Sequence, residues 1–415
     1  MTTSSRAPLA TVLVALTLTG CGAGATAPPS AAVQRPCPAS TSLGGARSLV
    51  LVLPVHQGAS TGARSPWRCA IREALDTGVP ISVVTAEGLP KVAVRGFLST
   101  PTRVNLQAHQ DDLDAAEATL VLTVNSLRAS SAGNDTWAAA LLAADQGAST
   151  GSPVLVLFSD NGLSDTGLIR MTEPGMPLAD SGDVVTFVKD NKACGRLAGS
   201  TWVLSGLGEA VLPQPALSAR QRANIAEIYA SSMKACDAAV TVRPAPASGS
   251  GPTTTLRTGR VTPETPATLS VRPATRISLP DSSALGYQPD SAEFRDLTAA
   301  RATLAHIAEQ LRSQPNVTVR ITGRTSNGAT AWVSHEALGK ARADRCAGLL
   351  VQAGVRPSQI TTVGAGYTAQ PPVTNPTTAA LNRSTDFTFS RPAGGCPEVR
   401  GTSVAARVRQ ATFTR

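Results

Sequence analysis

Residues 321–328 read ITGRTSNG, residues 338–355 read LGKARADRCAGLLVQAGV, and residues 363–389 read VGAGYTAQPPVTNPTTAALNRSTDFTF. Periodicity places the elements of a small domain around these three pieces. Val317, Val319 and Ile321 alternate and predict a strand over 317–322, followed by a polar turn over 323–329. Residues 338–354 predict a helix closed by Gly354 at its C-cap. Upstream, 277–280 predicts a strand, and Leu297, Ala300, Leu304, Ala308 and Leu311 fall on one stripe of a helix. Residues 360–363 and 385–389 predict two more strands. The βαβαββ-type order implies a small α+β domain, with helices on one face of a mixed sheet.

Four ordered pieces carry a family resemblance: Gly323-Arg324-Thr325-Ser326, Leu338-Gly339-Lys340-Ala341-Arg342-Ala343, Gly364-Ala365-Gly366 and Asn382-Arg383. Over residues 276–392 the chain resembles the OmpA-like peptidoglycan-binding domain. The resemblance implies a non-catalytic module whose partner is peptidoglycan. It also implies a ligand site at Thr325, Ser326 and Arg342, with Arg342 clamping a carboxylate of diaminopimelate in the wall stem peptide. Arginine suits that task because its planar fork meets a carboxylate bidentately.

The helix pattern adds an independent constraint. Leu338, Arg342, Cys346 and Leu349 share one stripe, and a guanidinium on an apolar stripe needs a partner or a route to water. A ligand acid or an internal Asp would each serve. The family carries Asp where this chain has Ser326, and that Asp meets the ligand ammonium. A serine contact is neutral, and its weakness would cost about 1–3 kcal/mol. Glu336 and Asp344 are the nearby acids considered as substitutes, although Asp344 falls off the inner stripe. Asn382-Arg383 either buttresses the site or packs its loop.

Before this module the chain reads as an α/β domain over residues 46–241. SLVLVLP at 48–54 is a continuous apolar run, as in a strand buried on both faces. Further strands are predicted at 81–85, 92–98, 153–158 and 202–205. Helices are predicted at 66–76, 111–127, 135–145 and 218–234. Strands alternating with helices imply a doubly wound, mainly parallel sheet. The first strand, Asn134-Asp135-Thr136 and the Ser159-Asp160 strand end together resemble the von Willebrand factor A domain. That family holds a divalent ion through an Asp-x-Ser-x-Ser, a Thr and an Asp. Thr136 and Asp160 match the last two, but Pro54 and His56 stand where the first Asp and first Ser would be. Proline has no side-chain oxygen and imidazole is a poor ligand for magnesium, so no metal is expected. Asp160 then caps a turn or helix, and the sheet is a scaffold or protein-docking surface.

The N-terminus carries Arg6 and the short apolar run 9–18, then Leu18-Thr19-Gly20-Cys21. This reads as a secretory signal over 1–20 that resembles a bacterial lipobox, with lipidation at Cys21. Residues 21–45 read as a lipidated tether, 242–275 as an exposed linker and 393–415 as a tail. Removing Cys21 leaves six cysteines in an oxidising compartment, which allow fifteen connectivities. Pairing neighbours is the simplest: Cys37–Cys69, Cys194–Cys236 and Cys346–Cys396.

The formal charge is +9, from 37 basic and 28 acidic residues. The arginines are scattered without aromatic interleaving, which argues against a nucleic-acid partner and for attraction to an anionic envelope. None of the four histidines lies in a hydrolase or metalloprotease motif, and no phosphate-binding glycine loop follows a strand. No enzyme activity and no cofactor are expected. The sequence therefore reads as an envelope lipoprotein, lipid-anchored outside the cytoplasmic membrane, linking membrane to cell wall. The alternative is an envelope adaptor that has lost wall binding and recruits a protein partner through the A-like domain.

Overall fold

SLVLVLP forms strand β1 (Ser48–Pro54), buried along its whole length. Its pleat sends Leu49, Leu51 and Leu53 into one apolar layer and Val50 and Val52 into another. Helices cover both faces as a result. β2 (Ile81–Ala86) and β4 (Val154–Ser159) flank β1 in parallel. β5 (Thr201–Ser205) and β6 (Ala239–Arg243) continue in parallel, and β3 (Lys91–Phe97) closes the opposite edge antiparallel. The strand order is β3-β2-β1-β4-β5-β6. On the leucine face lie α1 (Arg68–Thr77) and α2 (Leu106–Ser126), through Ala70, Ala74, Leu113 and Leu120. On the valine face lie α3 (Thr136–Thr150), α4 (Ser181–Asp190) and α5 (Ala219–Lys234), through Trp137, Ala140, Val184, Val188 and Ile225.

The structure is a computed structural model that describes residues 42–60, 67–102, 104–244, 251–264, 269–326, 332–367 and 373–391. The signal and lipidation site at Cys21, most of the tether, Cys37, Cys396 and the tail lie outside the described residues. The described residues belong to one compact body.

The second sheet has the order β7-β10-β8-β9. β10 (Ser384–Ser390) is antiparallel to both β7 (Arg276–Pro280) and β8 (Thr318–Arg324), and β8 pairs in parallel with β9 (Ile360–Gly366). α6 (Leu297–Ser313) and α7 (His335–Gln352) share one core with this sheet: Leu304, Ile307, Ala343, Cys346 and Leu350 meet Val319, Ile321, Phe387 and Phe389. A short helix, α8 (Pro376–Asn382), precedes β10. The mixed sheet and the α+β order follow the alternation read from the sequence.

Three glycines decide how closely α7 sits on β8 and β9. A Cβ on Gly323 would stand 2.0 Å from the carbonyl oxygen of Gly339, and one on Gly339 would stand 2.5 Å from that of Gly323. A Cβ on Gly364 would stand 1.9 Å from the carbonyl oxygen of Glu336. Helix and strands therefore touch backbone to backbone.

Three expectations are corrected. The stretch read as an exposed linker is partly built in: β6 runs to Arg243, and Val261 is fully buried. Gln214 fixes it by accepting from the Val261 amide (2.9 Å) and donating to its carbonyl (2.8 Å). A valine among prolines and threonines is a weak apolar signal, and only the cavity it fills makes it core. Second, Cys346 is a free, buried thiol rather than half of a disulfide with Cys396. It faces the sheet side of α7, where its Sγ lies 3.1 Å from the Tyr287 hydroxyl. Third, α4 and α8 fall in stretches given no element. Cys194 and Cys236 form a disulfide. Cys69 is also disulfide-bonded, and its expected partner Cys37 lies outside the described residues.

Candidate functional site

Thr325, Ser326 and Arg342 line one cavity of about 140 Å³. The parallel β8–α7–β9 crossover brings them together. Thr325 follows β8, and its amide donates to the Gly366 carbonyl at the end of β9 (3.0 Å). Its hydroxyl lies 3.2 Å from Nδ1 of His335, the first residue of α7. Arg342 comes two turns later, and the glycine contacts seat that helix on the strands.

Arg342 is only 4% exposed. Its Nε donates to the Ser291 carbonyl (2.9 Å), and its Cζ sits 4.9 Å from the centre of the Tyr287 ring. Among the described residues its guanidinium makes no ion pair and no other hydrogen bond. Burial pulls the guanidinium below its usual range, an effect only partly offset by Asp281 and Tyr287. Arginine stays charged under any such shift. The cavity thus holds a desolvated cation that no acid among the described residues meets in an ion pair, although Asp281 lies near enough to act on its charge.

Tyr287 is the floor of the site. Its ring stacks on Phe294 with centroids 4.9 Å apart, and its hydroxyl donates to the Arg342 carbonyl (3.1 Å). Its amide donates to Asp281 (2.9 Å). Burial raises the phenol well above its ordinary value, so it remains a neutral donor.

The other arginines at the site are paired. Arg383 grips Asp183 with both Nη atoms (2.9 Å for Nη1 to Oδ1) and donates from Nε to Asp281 (3.1 Å). Burial opposes its charge, but Asp281 and Asp183 outweigh it and raise Arg383 above its usual range. Arg295 donates to Asp180 (2.9 Å) and Asp281 (3.0 Å). Asp180 caps α4 and Asp183 lies in its first turn, so the helix that covers the first sheet reaches the cavity of the second. Asp180, Asp183, Asp281 and Asp290 all line it.

Sequence reasoning missed these acids because α4 was not read as a helix. The signal was present: Asp180 caps it by accepting from the Gly182 amide, Asp183 lies in the first turn, and Val184 and Val188 are buried one turn apart. The acids considered for the role lie elsewhere. Asp344 is held by Lys340 (2.6 Å) and Thr362 (2.6 Å) on the outer face of α7. Glu336 is exposed and does not line the cavity. Arg324 pairs with Asp386 (2.8 Å) rather than pointing a free charge at the site.

At the carboxyl ends of β1 and β4, the expected ligand edge of the first sheet, the structure places a closed polar cluster. His56 Nε2 lies 2.7 Å from Asp160 Oδ1, and both residues are buried. The other Asp160 oxygen accepts from Thr136 (2.7 Å), Asn134 (3.2 Å) and the Gly162 amide (3.1 Å). Burial works against both charges, yet the pairing wins: His56 is raised and Asp160 lowered. A divalent ion does not fit here, because an imidazole and three donors already occupy the carboxylate. No cluster of three His, Cys, Asp or Glu residues suited to a metal occurs among the described residues.

Several solved structures resemble part of this chain. They include the periplasmic domain of Helicobacter pylori MotB, 23% identical, covering 28% of this chain and 83% of that one with a TM-score of 0.25. A putative MotB-like protein from Desulfovibrio vulgaris is 18% identical over 28% of this chain and 75% of that one (TM-score 0.25). The cell wall anchor of the T6SS from Pseudomonas aeruginosa is 26% identical over 28% and 80% (TM-score 0.24). No curated protein matches the chain. Residues 287–384, which hold Tyr287, Thr325, Ser326, Arg342 and Arg383, match the model of the OmpA family, so the C-terminal part of this chain carries an OmpA domain.

Proposed function

We propose that this is a non-catalytic envelope lipoprotein that docks on peptidoglycan through its OmpA domain. Lipid on Cys21 would hold one end at the outer side of the cytoplasmic membrane, and the wall would hold the other. The observation that carries the reading is Arg342: buried, without an ion pair among the described residues, and opening on the cavity shared with Thr325 and Ser326. A stem-peptide carboxylate, that of diaminopimelate, supplies the ion pair that this guanidinium lacks. Such a charge-assisted, bidentate contact is worth more where water is excluded. The Ser291 carbonyl and the Tyr287 ring fix the guanidinium plane beforehand, so little side-chain entropy is lost on binding.

Retention of the full chain on purified diaminopimelate-type peptidoglycan tests this, with Arg342→Ala beside it. The expected result is retention of the wild type and at least a tenfold loss for the variant. Equal retention of both would refute the clamp. Release of muropeptides by the protein would refute the non-catalytic reading.

A second reading is an adaptor that has lost wall binding and acts through the first, von-Willebrand-A-like sheet unit. Ser326 favours it, since that position brings no charge for a ligand ammonium. Failure of the wild-type chain to bind any peptidoglycan would select it.

A further inference from the structure

We propose that helix α4 supplies the acidic half of the pocket. On this assignment the carboxylates of Asp180 and Asp183 take the ammonium of the diamino acid whose carboxylate meets Arg342. The assignment rests on the wall-peptide reading of the cavity and adds the source of its negative charge.

Three observations lead to it. First, Ser326 brings no charge, and the sequence that follows it, Asn327-Gly328-Ala329-Thr330-Ala331, contains no acid. Second, Asp180 and Asp183 line the same cavity as Arg342 although they lie more than 150 residues away in sequence. Two arginines of the OmpA domain hold them there, Arg295 on Asp180 and Arg383 on Asp183. Third, the lining is unbalanced. Four carboxylates line the cavity against Arg342, Arg383 and the flanking Arg295, and Arg342 alone of these three arginines makes no ion pair among the described residues.

A simple monocarboxylate would satisfy Arg342 but would enter against that acidic wall. A zwitterionic amino-acid head satisfies both sides and leaves the local charge unchanged. A carboxylate oxygen accepts more than one donor, so Asp183 can bind an ammonium without releasing Arg383. The cavity is well below the size of a drug-like pocket, which suits one amino-acid head rather than a whole peptide. The ligand class is therefore a diamino acid end with free carboxylate and free amine.

The test uses the full chain and two probes: a muramyl tripeptide ending in diaminopimelate, and the same compound with its side-chain amine acetylated. The wild type is expected to prefer the free amine at least tenfold. Asp183→Asn is expected to lose most of that preference, and Asp183→Asn with Ser326→Asp to recover it, because an acid from the turn replaces the acid from α4. Thermal melting of each variant separates lost folding from lost recognition. Wild-type affinity and preference in Asp183→Asn would overturn the assignment. So would tighter binding, which would make α4 a plug, and so would a loss that Ser326→Asp does not recover. Loss in Arg342→Ala with retention in Asp183→Asn would refute this inference alone. Retention in Arg342→Ala would remove the wall-peptide reading and this inference with it.

Discussion

Replacing Gly339 by alanine sets two effects of opposite sign against each other. In a helix interior alanine is favoured over glycine by about 1 kcal/mol. The new methyl, however, would stand 2.5 Å from the Gly323 carbonyl oxygen, 3.2 Å from its carbon and 3.4 Å from the Gly364 Cα. Contact normally begins near 3.5 Å, so α7 must retreat from β8 by about 1 Å. Overpacking of this kind costs about 1–3 kcal/mol. All three obstructions are backbone and cannot rotate away, so the upper part of that range applies. The net expectation is a loss of about 1–2 kcal/mol in denaturant unfolding. Arg342 rides on the same helix three residues later, and a shift near 1 Å exceeds the roughly 0.5 Å tolerance of a preorganised site. Retention on peptidoglycan should therefore fall several-fold under conditions where the variant is still folded. A variant about 1 kcal/mol more stable with unchanged retention would refute the reasoning, because propensity alone would then govern the position.

Two more outcomes follow from the buried polar groups. His56→Ala leaves Asp160 buried without its countercharge and should cost about 3–5 kcal/mol in chemical denaturation; a loss under 1 kcal/mol would mean the pair is not an ion pair. The wild type should also show a matching pH dependence. The raised His56 contributes stability that is complete below its unfolded value of 6.5 and is lost as pH climbs through its folded value. The lowered Asp160 contributes stability that is complete above 3.8 and is lost as pH drops through its folded value. The pair's contribution should thus be largest between those limits and absent from an Asp160→Asn, His56→Gln double variant. Finally, burial pushes the Cys346 thiol up to about 12, so it should resist alkylation at pH 8 in the native protein and react on unfolding. Rapid native labelling at Cys346 would contradict its burial.

Much of this fold was legible because apolar runs and alternation report burial directly. SLVLVLP named the central strand, and the 317–322 alternation named β8. The resemblance carried by the C-terminal pieces pointed to Thr325, Ser326 and Arg342, and these three residues line one cavity. What escaped was set by contacts distant in sequence. Val261 is core only because Gln214 and the α3–α5 layer surround it. Cys346 is unpaired because its helix turns it toward Tyr287. Asp183 lies in a stretch whose helix was not read from the sequence, and only the approach of Arg383, 200 residues later, gives it a place at the site. The His56–Asp160 pair also follows this rule: the motif positions were readable, but their mutual neutralisation required β1 and β4 side by side.

The Arg383–Asp183 and Arg295–Asp180 bonds have a practical consequence for dissecting the molecule. A fragment beginning near residue 270 would keep both guanidiniums and lose the α4 acids that face them. It would be more cationic around its cavity than the intact chain, and would cling to anionic polymers by charge alone. Excision would thereby add, around the cavity, a stickiness beyond what the intact chain's overall positive charge supplies.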